Sequence, residues 1–314
     1  MREGDTGGSG EADVAGEAGR AGQAGEGPGT GQAGGDGRAG EGGAGGGPEI
    51  YWRAWLPEHV PHARAGVVIA HGAGEHSGRY AAVAGRLVDA GYAVYALDHQ
   101  GHGRSGGPRG LIRRMDLALV DLHQLVAGAT QKQGGRPPFL LGHSMGGTIA
   151  TSYALRWPEN LAGLILSSPL LSLPQVKPPL RVVVGLLTRV APRLGLSQVD
   201  PSLVSRDPEQ VEAYEGDPLV LHGKLPARTV GELVRTTRGF AKQAGELGLP
   251  LLIMSAGADR IVAPAGAEML YAGAGSDDKT LNVYPDLYHE IFNETEPDRT
   301  RVIDEMIAWL DART

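Results

Sequence analysis

The sequence predicts an α/β fold in which helices flank a mostly parallel central sheet and one long insertion interrupts the alternation. Three observations carry this expectation. Past Pro48, short apolar runs alternate with amphipathic stretches, the rhythm of strands and helices wound around one sheet. One of the runs ends in Gly142-His143-Ser144-Met145-Gly146 and passes directly into a helix-compatible segment, a strand-turn-helix setting. Between 169 and about 245 the rhythm stops, with five prolines from 169 to 192 and no convincing strand. A compact domain rarely carries so long a connection without a use for it, so the stretch reads as an insertion between two sheet strands.

Taken in order, an opening strand is expected over Ile50–Leu56, followed by strands over Gly66–Ala70, Ala93–Leu97, Phe139–Leu141, Gly163–Leu166, Leu249–Met254 and Thr280–Tyr284. Each is short and dominated by apolar residues. Helices are expected near 79–90, 116–133, 145–157, 264–273 and 298–312, where apolar residues recur at helical spacing. Residues 1–47 are different in kind. They hold 20 of the 50 glycines, no aromatic residue and one β-branched aliphatic, Val14, so they cannot bury enough apolar surface to offset the entropy of ordering. A disordered Gly/Ala-rich tail is expected there, ahead of one folded domain at 48–314.

Composition then excludes whole classes of function. The tail holds eight acidic and three basic residues of a protein at −7, which leaves the remaining 267 residues near neutral at −2. Phosphate-backbone binding needs a basic footprint, so nucleic acid is not an expected partner. The absence of cysteine removes disulfides, thiol catalysis and cysteine metal sites. Neither a signal-peptide core nor a run of about 18 apolar residues is present, so a soluble, cytoplasmic protein is expected.

The chemistry centres on Ser144. With glycine so abundant, the pattern G-x-S-x-G is weak by itself, but here it joins an apolar strand to a helix, which places the hydroxyl on a sharp exposed turn. Small residues are needed at 142 and 146 because strand and helix approach closely there. A serine hydroxyl needs a base, and the base needs a third group to hold its tautomer, in the sequence order Ser, acid, His. Only His222 and His289 follow Ser144. His222 lies in the insertion, whereas His289 follows the last strand and is the better base. Asp259, just past the Leu249–Met254 run, is the expected acid, because ligands bind at the carboxyl ends of such strands. Asp217 and Asp286 remain weaker rivals. Two backbone N–H groups should meet the charge of a tetrahedral intermediate: that of Met145, next to the nucleophile, and that of Ala73 in the loop His71-Gly72-Ala73-Gly74-Glu75-His76. His71 and His76 have no third partner at metal-ligand spacing, so neither a metal nor a cofactor is expected.

Taken together, His71-Gly72-Ala73-Gly74-Glu75-His76-Ser77-Gly78-Arg79-Tyr80, Asp98-His99-Gln100-Gly101-His102-Gly103-Arg104-Ser105, Gly142-His143-Ser144-Met145-Gly146-Gly147, Gly257-Ala258-Asp259 and Tyr288-His289 resemble the monoacylglycerol lipases, serine enzymes of the α/β-hydrolase fold. The similarity covers about residues 50–312. It implies Ser144, Asp259 and His289 as the triad, Ala73 and Met145 as oxyanion donors, Glu75 and Arg79 at the glycerol end of the pocket, and the insertion as a helical lid over an acyl tunnel. Phe292 stands where some animal members carry a second histidine, and their lid cysteines are missing. Within the insertion, Leu180–Val190 is apolar nearly all round if helical, which means burial or contact with lipid. The resemblance favours lipid, so a membrane or micelle surface is the expected partner beside a lipid ester substrate. The expected activity is hydrolysis of long-chain monoacylglycerol. A broader carboxylesterase or lysophospholipase is the alternative, and an acyltransferase or a non-catalytic lipid-binding domain stands further off.

Overall fold

The structure, a computed structural model of the protein, describes residues 36–39, 48–58, 63–172 and 185–314. Eight strands form the main sheet: β1 (Asp36–Ala39), β2 (Ile50–Trp55), β3 (Gly66–Ala70), β4 (Ala93–Leu97), β5 (Phe139–His143), β6 (Gly163–Ser167) and, beyond the insertion, β9 (Leu251–Ala256) and β10 (Lys279–Tyr284). Two short strands of the insertion, β7 (Gly195–Ser197) and β8 (Leu225–Pro226), pair only with each other. The main order is β1-β2-β4-β3-β5-β6-β9-β10, antiparallel at β1-β2 and β2-β4 and parallel from β4 onward. Strands β3 to β6 and β9 are buried along their whole length, which is why their sequences read as unbroken apolar runs.

Helices cover both faces. On one side α2 (Met115–Lys132), α3 (Met145–Arg156), α6 (Ala227–Gln243) and α7 (Ala265–Gly273) pack through Leu122, Ile149, Leu233, Phe240 and Leu270. On the other, α1 (Ala81–Asp89) and α8 (Asp298–Asp311) pack through Leu87, Val302, Met306 and Leu310. The remaining helices belong to the insertion: a helical stretch at residues 185–190, α4, and α5 (Pro208–Gly216), which Asp207 caps through the Glu209 N–H.

Two regions depart from the expectations. Residues 36–39, within the segment expected to be disordered, form an edge strand in register with Ile50–Arg53. Edge pairing draws on backbone donors and acceptors, which a glycine-rich segment has in full even without apolar side chains. The rest of the tail, residues 1–35 and 40–47, lies outside the described residues, as does the first part of the expected apolar helix, residues 180–184. Within 169–245 the rhythm of the body also resumes earlier than expected. The last helix, α6, is a core element of the body: Thr229 Oγ1 donates to the Gly110 carbonyl at 2.7 Å and accepts the Ile112 N–H at 2.9 Å, and Leu233 and Phe240 join the main core.

Candidate active site

The site forms where the parallel strands end. Ser144 directly follows β5, Ala73 lies three residues past β3, Asp259 three past β9 and His289 five past β10, so the sheet delivers all four to one of its edges. Ser144 itself adopts φ 53° and ψ −118°, a left-handed conformation that a non-glycine residue holds only under constraint. The constraint is packing on either side. A Cβ at Gly146 would come 2.0 Å from the Ala70 carbonyl oxygen, and one at Gly142 would come 2.5 Å from that of Gly146. The two glycines let strand and helix close on each other, and the serine between them is thrust out at the turn.

His289 Nδ1 donates to Asp259 Oδ2 at 2.7 Å, and both side chains are almost wholly buried. The other Asp259 oxygen accepts the N–H groups of Ile261 at 2.8 Å and Val262 at 2.9 Å, so the carboxylate cannot turn away from the ring. This arrangement keeps the Nδ1–H tautomer, so that Nε2 carries the lone pair. The rivals lie elsewhere. Asp286 is exposed, Asp217 bonds His76 Nε2 at 2.8 Å, and His222 bonds the Asp217 carbonyl at the surface.

Ser144, His289, Ala73 and Met145 line one cavity of about 270 Å³. Among the described residues, the N–H groups of Ala73 and Met145 meet no acceptor within the protein, the state required of donors reserved for a developing oxyanion. The Ala73 loop is fixed from below. His71 Nδ1 donates to the Gly72 carbonyl at 2.7 Å while Nε2 accepts the His99 N–H at 2.9 Å, and burial pushes the His71 pKa down, so the ring stays neutral in that tautomer. Among the described residues no group of acidic or histidine side chains is arranged to hold a metal ion.

Glu75 lines the cavity with its carboxylate tied to the same loop, accepting the Gly72 N–H at 2.5 Å and the Tyr80 hydroxyl at 2.7 Å. Burial works against its charge, but the His143 ring and the Arg79 guanidinium outweigh burial and hold its pKa down at about 2. Arg79, expected at the glycerol end of the pocket, does not line this cavity. Its guanidinium reaches Glu75 at 3.2 Å and grips Glu290 through two bonds of 2.5 and 2.8 Å, under the Tyr214 ring. It therefore holds two carboxylates that do face the cavity. Glu290 was missed by sequence reasoning, although its place beside His289 was a usable signal. The rest of the wall is mixed: Val199, Leu203, Val204, Val230 and Leu233 from the insertion and α6 and Leu170 and Val262 from the body are apolar, while Ser197, Gln198, Asp200, Tyr214 and Arg260 are polar or charged.

The fold and this site define a serine hydrolase of the α/β-hydrolase class. The sequence model of the family described as serine aminopeptidase, S33 matches residues 61–296. A monoacylglycerol lipase of Mycolicibacterium smegmatis is 41% identical over 84% of this chain and 94% of its own, and human monoglyceride lipase is 35% identical over 85% and 88%. Among solved structures, a monoacylglycerol lipase from Paleococcus ferrophilus superposes with a TM-score of 0.76 at 33% identity, covering 85% of this chain and all of the other. A soluble variant of the Saccharomyces cerevisiae monoglyceride lipase, in complex with a substrate analogue, reaches 0.77 at 26% identity over 85% and 93%. The protein belongs to the S33 family and, within it, to the monoacylglycerol lipases.

Proposed function

We propose that the protein hydrolyses long-chain monoacylglycerol to fatty acid and glycerol through an acyl-enzyme on Ser144. Ser144 Oγ attacks the ester carbonyl as its proton passes to His289 Nε2, while Asp259 holds the ring and balances the imidazolium charge. The oxyanion receives the Ala73 and Met145 N–H groups. Collapse of the intermediate breaks the bond to glycerol, whose oxygen takes the proton from His289. Water, deprotonated by the same ring, then releases the fatty acid.

The observation that carries this reading is the mixed lining of the cavity around Ser144. Its apolar residues suit one acyl group, and the Glu75 and Glu290 side chains suit the hydroxyl groups of a neutral polyol. The insertion acts as a lid over the acyl group. Leu186 and Val190 on α4 are 57% and 68% exposed, as side chains that touch lipid would be. No helix among the described residues is long and apolar enough to cross a membrane. Initial rates on matched mono-, di- and triacylglycerols beside lysophosphatidylcholine test the proposal. The highest kcat/KM is expected on monoacylglycerol, and faster turnover of triacylglycerol or lysophosphatidylcholine would overturn the substrate assignment.

A further inference from the structure

A groove of about 570 Å³, larger than the catalytic cavity and holding none of its reacting groups, runs between α2, α4 and α6. We propose that this groove binds the phosphate groups of anionic phospholipids and seats the protein on a membrane of that charge. The proposal rests on the lid reading above and adds to it a headgroup chemistry.

Five arginines line the groove, Arg114 from the N-terminal end of α2, Arg189 from α4, and Arg228, Arg235 and Arg238 from α6, against two carboxylates, Asp116 and Glu232. In a body near −2 this is a local inversion of charge. The carboxylates are already engaged. Glu232 is buried, with Arg228 at 3.1 Å and Arg235 at 2.7 Å, and Asp116 holds Arg114 at 3.0 Å. The side chains of Arg189 and Arg238 form no ion pair or hydrogen bond among the described residues, so two guanidinium groups stand over the groove with their donors unused. Spacing places Arg228, Arg235 and Arg238 on one side of α6, Val230 lines both the groove and the catalytic cavity, and Leu233 lines the catalytic cavity.

The surroundings select the source of the phosphate. Among the described residues six large apolar side chains are exposed, and four of them lie on elements that wall this groove with a fifth just beyond. Leu117 and Val120 are on α2, Leu186 and Val190 on α4, and Leu194 just beyond it. A free anion would gain nothing from such a rim. At a bilayer, the rim enters the acyl layer while the arginines stand at phosphate depth. Seated in this way, the catalytic cavity lies one helix, about 10 Å, from the headgroups, where a single-chain ester can pass directly under α6.

The test measures partitioning of the full-length protein and of the double variant Arg189→Gln/Arg238→Gln onto vesicles of phosphatidylcholine alone or with phosphatidylglycerol added. Wild type is expected to bind the anionic vesicles at least roughly tenfold more tightly, with the difference eroded by salt. Loss of two arginines should weaken binding to anionic vesicles roughly 30-fold and leave neutral vesicles unaffected. Turnover of a short soluble ester by the variant should be unchanged, which also reports that it folds. Equal wild-type affinity for both vesicles would overturn the arginine groove while leaving the lid reading intact, and binding to neither would overturn both. Release from anionic vesicles by millimolar inorganic phosphate at constant ionic strength would show a free-anion site and likewise overturn the proposal.

Discussion

Replacing Arg79 with Met removes the one cation between two buried carboxylates. Arg79 and Glu290 are 8% and 7% exposed at the side chain and Glu75 is 5%, so none of the three is solvated well enough to stand alone. The Arg79 guanidinium is, after the His143 ring, one of the groups that hold the Glu75 pKa below its ordinary value. Breaking a buried ion pair from one side costs about 3–5 kcal/mol. For a domain of this size the lower figure corresponds to a fall in Tm of roughly 6–12 °C. The pH dependence follows from the direction of the shift. Because the Glu75 pKa is depressed, its contribution is complete above the ordinary value and is lost as pH falls toward 2. The gap between wild type and variant should therefore narrow between about pH 5 and pH 2, where a protonated Glu75 no longer needs a counter-charge. Denaturant titrations of both proteins at pH 7, 5 and 3 would measure it. Adding Glu290→Gln to Arg79→Met should recover part of the loss, because one uncompensated charge is removed. An Arg79→Met protein within about 1 kcal/mol of wild type at pH 7, or a gap indifferent to pH, would refute this account.

Other outcomes follow from the same geometry. Ser144→Ala is expected to lose at least roughly 10³-fold in kcat with little change in Tm, read from ester turnover beside thermal unfolding. Asp259→Asn should lower kcat by orders of magnitude, whereas Asp286→Asn, at an exposed position, and Asp217→Asn, paired with His76, should change it far less. Gly146→Ala should destabilise the protein by about 1–3 kcal/mol or more in a denaturant titration, since its Cβ would meet the Ala70 carbonyl. Leu186→Ser/Val190→Ser should reduce turnover of liposome-borne monoacylglycerol and spare short soluble esters, and equal loss on both would mean that α4 is structural.

What the sequence disclosed depended on how local the physical signal was. The sheet was legible because strands buried on both faces carry few polar residues, those of β5, β6 and β9 falling at or next to the last position, and β3, β4 and β5 begin where the apolar residues begin. The Ser144 turn was legible because Gly142 and Gly146 answer a steric demand a few residues away. Asp259 and His289 could be picked out because each follows a readable strand. Arg79 was read as a group facing substrate because its partner Glu290 is 211 residues distant, and nothing within one turn of either announces the pair. The limits of the insertion were hidden for another reason. Helix α6 is rich in Arg and Thr, and the large apolar residues it sends to the main core, Leu233 and Phe240, are too sparse to mark a helical period. Pairing of residues 36–39 with β2 left no trace in a short segment of Asp, Gly, Arg and Ala.

The insertion is tied to both catalytic loops by main-chain bonds. Leu221 N donates to the Gly74 carbonyl at 2.7 Å beside Ala73, and Glu290 N donates to the Val204 carbonyl at 2.8 Å beside His289. His76 bonds Asp217 across the same seam. The segment between 200 and 226 is thus a brace for the oxyanion loop and the histidine loop, while the exposed apolar residues of the insertion sit outside it, between 185 and 194. Evolution and the protein engineer face the same division of labour. On the function proposed above, the outer part can be exchanged to suit another lipid surface without disturbing the site, but an enzyme trimmed to the bare sheet and its helices would lose the struts that hold the Ala73 and His289 loops in place.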